Sequence, residues 1–384
     1  MLAELDLGVL RVLERAVGRP IPQVGAFSSK SFGYTLSNGR IDRLGLFEAS
    51  LPALPEEVLK LTALRALSLA HNELTSLSAG IGRLTSLEEL SLTQNRIGEL
   101  PDSLCELRAL RYLYASNNQL RRLPENIGEL ASLLDLNLYN NQVTSLPESF
   151  VKLATLVRLW LNRNGLLSLP ENIGALRALT YCDLRQNRLA SLPADIGQLT
   201  ALRCIHLQEN SLRSLPPTIG GWVCLEEFYI YINELSALPA SIGELRRLRT
   251  LWAFRNALSS LPASIGNLES LVDLKLSNNS IATLPDNLSG LRSLRYLDVG
   301  CNALTGLPES IGELPALVHL QLDSNRLTTV PDSLRNAVRL EKLDLHHNPL
   351  DVLPGWLTGL KNLIYLGAAP AAGEPASPDQ GAKQ

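Results

Sequence analysis

Residues 271–293 read LVDLKLSNNSIATLPDNLSGLRS, and this stretch decides the fold because most of the chain repeats its pattern every 23 residues. From Ile41 to Leu363 the repeat runs without an insertion or a deletion. The first position of each unit holds Ile41, Leu64, Leu87, Leu110, Leu133, Leu156, Leu179, Leu202, Leu225, Leu248, Leu271, Leu294, Leu317, Leu340 and Leu363. A fixed period of this length predicts a solenoid, in which each unit packs against its neighbours.

The start of each unit predicts a short strand. Leucines at positions 4 and 6, such as Leu274 and Leu276, alternate with a period of two, so both point inward. Position 9 holds Asn72, Asn95, Asn118, Asn141, Asn164, Asn187, Asn210, Asn233, Asn256, Asn279, Asn302, Asn325 and Asn348. Because an amide both donates and accepts hydrogen bonds, we interpret this column as a structural ladder and not as a glycan or ligand array.

A Leu-Pro pair, such as Leu284-Pro285, follows the ladder and precedes a short helical or 3₁₀ turn. We expect proline at the first helical position, where its missing N–H has no partner. One side of each unit is then a strand and the other a bulkier turn. The predicted fold class is α/β, a right-handed horseshoe of about fourteen repeats over residues 41–366, with a parallel concave sheet and convex turns.

The two ends fall outside the repeat. Residues 1–40 predict an amphipathic helix from Leu5 to Val17 and a hairpin around Asn38-Gly39, which we interpret as a cap over the sheet edge. A separate binding role for this segment is the alternative. Residues 367–384, rich in Ala, Pro and Gly, predict a disordered tail.

Composition narrows the class of partner. The 384 residues carry a net charge of −3, which argues against nucleic acid as a partner. No run approaches the ~18 apolar residues of a membrane span, and no secretory signal begins the chain. Five scattered cysteines favour a reducing cytoplasm. We therefore expect a cytoplasmic monomer without a cofactor, with export by a non-classical route as the alternative.

The combined pattern L-P-x-x-I-G-x-L-x-x-L-x-x-L-x-L-x-x-N resembles the intracellular Ras-group leucine-rich repeats of Scribble-type polarity scaffolds, the Ras–RAF phosphatase scaffold and their plant and microbial relatives. The resemblance covers residues 41–366 and implies a non-catalytic scaffold that binds through its concave face. The sequence departs from some relatives. Residues 1–40 hold no basic-Val-x-Phe docking motif, and the chain has no Gly-x-x-x-x-Gly-Lys-Ser/Thr loop.

Aromatic residues concentrate at positions 3, 5 and 7, whose side chains point away from the core. Ten of the nineteen aromatic residues lie at these positions in repeats 4 to 12. With His206, Arg255 and Lys275, they form the predicted partner-binding set: Tyr112, Tyr114, Tyr139, Trp160, Tyr181, His206, Tyr229, Tyr231, Trp252, Phe254, Arg255, Lys275 and Tyr296. Tyr, Trp and Arg are the residues favoured at binding hot spots.

Neighbouring strands place equal positions side by side, so the sequence predicts a two-by-two cluster of Tyr229, Tyr231, Trp252 and Phe254. The predicted function is a protein-interaction scaffold that binds its partner on the concave face, and this cluster is part of the predicted binding surface. Three alternatives stay open at this point: rings that only shield the sheet, a small-molecule or carbohydrate platform, and a secreted host-directed effector that uses the same face.

Catalytic and metal sites are not predicted. Asp323 and His346 occupy position 7 of neighbouring repeats and could form a metal or acid–base pair, but no third ligand is evident. Cys182 takes a core position, and no basic residue beside Cys204 or Cys301 marks an activated thiolate. The sequence therefore predicts neither an enzyme nor a metalloprotein.

Overall fold

The computed structural model describes residues 3–367. The chain divides into a first unit, Met1–Leu212, and a second unit, Arg213–Gln384. The tail predicted at 367–384 lies outside the described residues except for Gly367, which ends the last strand.

The first unit contains one α-helix and short strands in chain order. These are α1 (Glu4–Val17), β1 (Phe32–Ser37), β2 (Arg40–Leu46), β3 (Ala66–Ser68), β4 (Glu89–Ser91), β5 (Tyr112–Tyr114), β6 (Asp135–Asn137), β7 (Arg158–Trp160), β8 (Tyr181–Asp183) and β9 (Cys204–His206). β1 and β2 form an antiparallel hairpin, and β2 to β9 are parallel. β2 is itself the strand of the first repeat, so β1 covers the edge of the sheet.

The second unit continues the pattern with parallel strands. These are β10 (Glu227–Tyr229), β11 (Thr250–Trp252), β12 (Asp273–Lys275), β13 (Tyr296–Asp298), β14 (His319–Gln321), β15 (Lys342–Asp344) and β16 (Tyr365–Gly367). Leu251 faces Leu274 in the register, one repeat apart. These strands confirm the predicted leucine-rich-repeat solenoid.

A 3₁₀ helix follows each strand from β2 to β15. The helices span Glu56–Lys60, Ala79–Arg83, Asp102–Glu106, Ile127–Glu129, Glu148–Lys152, Ile173–Ala175, Ala194–Gln198, Pro217–Gly221, Ala240–Glu244, Ala263–Asn267, Leu288–Gly290, Glu309–Glu313, Asp332–Asn336 and Gly355–Gly359. The predicted place of the proline is wrong in most repeats. Pro101 precedes its helix, and its carbonyl accepts a hydrogen bond from the Leu104 N–H at 3.0 Å. The proline therefore caps the first turn of the helix through its carbonyl oxygen.

The core of each repeat is leucine, and the asparagine ladder closes it. The Asn279 Oδ1 accepts from the Leu258 N–H at 3.0 Å, and its Nδ2 donates to the carbonyls of Ala253 (3.1 Å) and Leu276 (2.8 Å). Because these backbone groups belong to two repeats, each asparagine joins its repeat to the preceding one.

Position 8, just before the ladder, has a left-handed backbone. From Glu48 to His347 every residue at this position has a φ between 51° and 57°. Most are polar or small, but position 8 of repeat 9 is Ile232, with a φ of 53°. A β-branched residue is strained in this region, because its Cβ approaches the following carbonyl.

The helix α1 packs on the first repeat through Val9, Leu10 and Leu13, which are buried. Asp6 is also fully buried. Its carboxylate accepts hydrogen bonds from the Arg40 Nε at 3.0 Å and from the Ile41 N–H at 2.7 Å. This ion pair ties the helix to β2.

Candidate functional site

The strand face, formed by the side chains at positions 3, 5 and 7, carries the predicted aromatic residues. The structure places all ten rings on this face, and each is half-buried. Ring-to-ring contacts cover part of these rings, except for Tyr139, whose ring lies beside Arg163. The rings therefore present edges and partial faces to solvent.

In the second unit four rings form the predicted two-by-two cluster, which we call the aromatic cluster: Tyr229, Tyr231, Trp252 and Phe254. Tyr231 and Phe254 are stacked, with ring centroids 4.3 Å apart and planes 8° apart. Tyr229 meets Trp252 edge to face at 5.1 Å, and Tyr231 lies 6.4 Å from Trp252. These side-by-side and diagonal contacts between two adjacent repeats make the cluster one continuous surface.

Polar groups fix the Trp252 ring. Its indole Nε1 donates to the Asp273 Oδ2 at 2.9 Å, and the Lys275 Nζ lies 4.0 Å from a Trp252 ring centroid. The Lys275 Nζ is also 4.0 Å from the Asp273 Oδ2. These contacts preorganise the indole. Arg255 is exposed at position 8, at the rim of the cluster.

Tyr296 and His319 border a cleft of about 330 Å³ beside the aromatic cluster. Their rings meet edge to face at 5.0 Å. Burial, together with Lys342 and Arg295, lowers the pKa of His319, so this imidazole is neutral near pH 7. Asp298 lines the same cleft, and burial raises the pKa of its carboxyl.

In the first unit the structure brings together Trp160, Tyr181 and His206. The Trp160 and Tyr181 ring centroids are 4.2 Å apart, and Tyr181 and His206 are 5.6 Å apart. Burial is the main cause that raises the pKa of Tyr181, and neighbouring Asp183 adds to it. Tyr181 is therefore a neutral phenol at physiological pH.

Three further predicted residues of the first unit form smaller contacts. Tyr112 and Tyr114 stack at 6.4 Å, and the Tyr139 hydroxyl accepts from the Arg163 Nη1 at 3.1 Å. Burial, with Asp135 and Glu89, raises the pKa of Tyr114 to about 12. No ring contact in the described residues joins Tyr139 to the Trp160–Tyr181 pair.

Three polar residues of the strand face were not among the predicted site residues. Asn162, Asp183 and Gln208 occupy outward positions of the strand face, yet each is at most 2% exposed. The Asn162 Oδ1, the Asp183 Oδ2 and the Gln208 Oε1 are buried without a hydrogen-bond donor. The one signal in the sequence for their burial was a run of long side chains at neighbouring positions, because long side chains can cover shorter polar ones.

The pair considered for metal or acid–base chemistry forms other contacts. The His346 Nδ1 lies 2.9 Å from the Asp344 Oδ1, and Asp323 contacts Ser324 and Cys301. Within residues 3–367 no group of three His, Cys, Asp or Glu side chains is arranged to hold a metal ion. Burial raises the pKa of the Cys182 thiol, since the residue lies in the core.

Comparisons with known proteins agree with this architecture. The family model described as a leucine-rich-repeat region matches residues 102–167, and a second leucine-rich-repeat model matches 62–120, 255–304 and 292–350. No curated protein matches the sequence.

Three solved structures illustrate the likeness. A leucine-rich-repeat protein of Leptospira interrogans is 33% identical, with a TM-score of 0.76, over 85% of this chain and 84% of that protein. YopM from Yersinia enterocolitica is 28% identical, with a TM-score of 0.61, over 85% and 69% of the two chains. The plant peptide hormone receptor RGFR1, in complex with RGF2, is 25% identical, with a TM-score of 0.62, over 84% and 69%.

The repeat architecture and the 33% identity to the Leptospira protein define the class. The chain belongs to the leucine-rich-repeat family, whose fold is commonly a protein-interaction module. Among the described residues no helix has the length and the apolar character needed to cross a bilayer.

Proposed function

We propose that this protein is a non-catalytic scaffold that binds a partner protein on its strand face, through the aromatic cluster of the second unit. The observation that carries the proposal is the continuous, half-buried surface of Tyr229, Tyr231, Trp252 and Phe254. Preorganised rings lose little conformational entropy on binding, and Tyr and Trp are the common hot-spot residues.

Two further observations support a protein partner over a polyanion. Acidic and basic groups alternate around the cluster, as in Asp273 beside Lys275, and mixed charge favours a complementary protein surface. Among the structural neighbours, the peptide hormone receptor RGFR1 was solved in complex with RGF2, which supports a partner of peptide or protein character here. The Ras-group resemblance adds a role in signalling to the proposal.

A cytoplasmic location is part of the proposal. All five cysteines are free thiols in the structure. Cys105 and Cys182 are buried, and burial raises the pKa of the Cys105 thiol to about 11, which leaves it unreactive. Unpaired cysteines suit a reducing compartment.

The test is affinity capture from lysate with the full chain and the quadruple variant Tyr229→Ala, Tyr231→Ala, Trp252→Ala, Phe254→Ala. The matched control is Val223→Ser with Val338→Ser, because these apolar side chains are exposed in the same unit but lie off the strand face. Circular dichroism first establishes that all variants are folded. We expect one protein to be retained by the wild type and by the control but lost by the quadruple variant. Equal capture by all three would assign the rings to sheet packing alone.

A further inference from the structure

A turn of the N-terminal segment, residues 28–31, lies on the strand face of the first unit. The Ser28 N–H donates to the Ser31 Oγ at 2.8 Å, and the Ser31 N–H donates to the Ser28 carbonyl at 3.0 Å. The Ser31 carbonyl also accepts from the Phe47 N–H at 3.2 Å. A Cβ at Gly45 would lie 2.2 Å from the Ser31 oxygen, so only glycine lets the turn approach the strand this closely. These contacts fix the turn in one position on the strands.

A cleft of about 250 Å³ opens between this turn and the strands, and several donors on its wall are unused. Lys30 comes from the turn, while Tyr114 and Asn137 come from position 5 of repeats 4 and 5. The Asn137 Oδ1 accepts from the Tyr139 N–H at 3.0 Å, which leaves its Nδ2 to donate. Within the described part of the chain, no ion pair or hydrogen bond engages the Lys30 Nζ, the Tyr114 hydroxyl or the Asn137 Nδ2. Lys30 is exposed and the other two are half-buried, so all three side chains reach solvent.

The wall of the cleft carries a cation but no carboxylate. None of the described residues that line it is Asp or Glu, and Lys30 supplies the positive charge. Burial raises the pKa of Tyr114 to about 12, so the phenol keeps its proton and can donate it in a hydrogen bond. Glu48, whose Oε1 lies 3.8 Å from the His71 Nδ1, is 66% exposed, and solvent screens its charge. The cleft is therefore suited to an anion.

Apolar groups form another part of the wall. Phe47 and Ala70 lie side by side at position 7 of repeats 1 and 2, and both line the cleft. The Phe47 ring centroid is 4.6 Å from that of His71, which holds the phenyl ring in place. Phe47 and Ala70 offer apolar contact but no hydrogen bond. A carboxylate on a short methylene stem would contact both kinds of wall.

We propose that this surface, which we call the carboxylate cleft, binds the side-chain carboxylate of an acidic residue of a partner protein. The Lys30 Nζ pairs with the carboxylate, and the Tyr114 hydroxyl and the Asn137 Nδ2 donate to its oxygens. The methylene stem packs on Phe47. A carboxylate at a chain end fits less well, because the N–H beside it needs an acceptor and the Asn137 amide oxygen is already used.

The inference rests on the proposed function only in that it assumes a partner protein on the strand face. The carboxylate cleft belongs to the first unit and does not use the aromatic cluster of the second. It names the chemistry of one group of the partner, which the proposed function leaves open.

The experiment uses the full ¹⁵N-labelled chain and N-acetyl-glutamate α-amide, whose only carboxylate is that of the side chain. The side-chain amide signals of Asn137, assigned by their loss in Asn137→Ser, report binding. N-acetyl-glutamine α-amide has the same shape without the charge, and N-acetyl-alanine has only a chain-end carboxylate. We expect a saturable shift with the glutamate probe, none with the glutamine probe, and an affinity at least about threefold weaker with the alanine probe.

Two variants and a control locate the site. Lys30→Met keeps the apolar stem and removes the charge, so binding of the glutamate probe should weaken about fivefold. Tyr114→Phe removes one donor and should weaken it about threefold. Lys60→Met is the matched control, because Lys60 is also exposed in the first unit but does not line the cleft, and we expect a change of less than about twofold. Amide spectra of all variants show whether the fold is kept.

Three results would each overturn the inference. The first is the absence of a shift with the glutamate probe. The second is equal binding of the glutamine probe or the alanine probe. The third is unchanged binding in Lys30→Met, or an equal loss in Lys60→Met.

The outcome is separable from that of the proposed function. If the aromatic quadruple variant loses its captured partner and the glutamate probe does not bind, the scaffold proposal stands and the carboxylate cleft falls. If the glutamate probe binds as expected and no partner is captured, the cleft stands as a site for a carboxylate and the scaffold proposal falls.

Discussion

Tyr231 and Phe254 stack across adjacent repeats, with ring centroids 4.3 Å apart and planes within 8° of parallel. Stacked aromatic pairs contribute beyond the apolar area that they bury. The stack therefore stabilises the two repeats and also holds both rings ready for a partner.

The stack is expected to show a coupling free energy in the unfolding of the protein. A double-mutant cycle of Tyr231→Ala and Phe254→Ala should give a coupling of about 0.5–1.5 kcal/mol. Denaturant unfolding followed by circular dichroism measures it. A control cycle of Tyr231→Ala with Tyr296→Ala, whose rings have no contact among the described pairs, should give about 0.3 kcal/mol or less. Equal coupling in both cycles would contradict a specific stack.

The ladder asparagines are expected to be the most costly polar residues to remove. Asn279→Ala leaves the Leu258 N–H and the carbonyls of Ala253 and Leu276 without their partner, and each lost part-buried bond costs about 1 kcal/mol. We expect the free energy of unfolding to fall by about 3 kcal/mol or more. Asn336→Ala, at an exposed position, should stay within about 0.5 kcal/mol of the wild type. A loss below 1 kcal/mol in Asn279→Ala would be incompatible with the ladder.

Relief of backbone strain is expected at Ile232. Its φ of 53° disfavours a β-branched side chain, whereas asparagine tolerates this conformation. Ile232→Asn should therefore raise the free energy of unfolding by about 1 kcal/mol. The comparison is Ile364→Asn, at an 80% exposed residue that does not have a positive φ, where no such gain is expected. Thermal unfolding of both variants checks the difference in sign.

A pH dependence of stability is expected from Asp183. Burial raises the pKa of its carboxyl to about 6 from a usual value of 3.8, and Arg185 only partly opposes this. Because the folded state holds the proton more tightly than the unfolded state, this group stabilises the fold below about pH 4. That stabilisation is lost as pH rises through about 6, with a total change of about 3 kcal/mol.

The measurement is the free energy of unfolding of the wild type and Asp183→Asn between pH 4.5 and 7.5. The free energy of unfolding of Asp183→Asn should increase relative to that of the wild type as pH rises. The difference between the two proteins should be constant above pH 7. The neighbouring titratable groups that face Asp183 are Arg185, His206, Cys204 and Tyr181, and all are kept in both proteins. A constant difference across the range would show that Asp183 is ionised throughout.

The N-terminal segment is proposed to cap the sheet through Asp6. Asp6→Ala removes a fully buried carboxylate and leaves the Ile41 N–H and the Arg40 Nε without it, so we expect a loss of about 3 kcal/mol. Glu4→Ala, at an exposed residue of the same helix, should change stability little. Hydrogen exchange in β2 reports whether the loss is local to the cap. Unchanged exchange at Ile41 would contradict the capping role.

How much the sequence alone determined depends on whether a feature repeats. The period of 23 residues fixed the strands, the leucine core and the asparagine ladder, because each inward residue meets an equivalent residue one repeat away. The same register placed Tyr229 beside Trp252 and Tyr231 beside Phe254. Here a local pattern was sufficient, since neighbours in space are also neighbours in the period.

Tertiary structure alone decided how deeply each outward side chain is buried. Asp183 and Tyr181 occupy outward positions, yet Asp183 is 0% exposed while Tyr181 is half-buried, because long side chains on neighbouring strands cover the short one. The place of proline just before the 3₁₀ helix and the left-handed backbone at Ile232 also follow from how the chain turns between strand and 3₁₀ helix. A repeat determines which residues are adjacent, whereas burial and charge depend on the size and direction of every side chain around them.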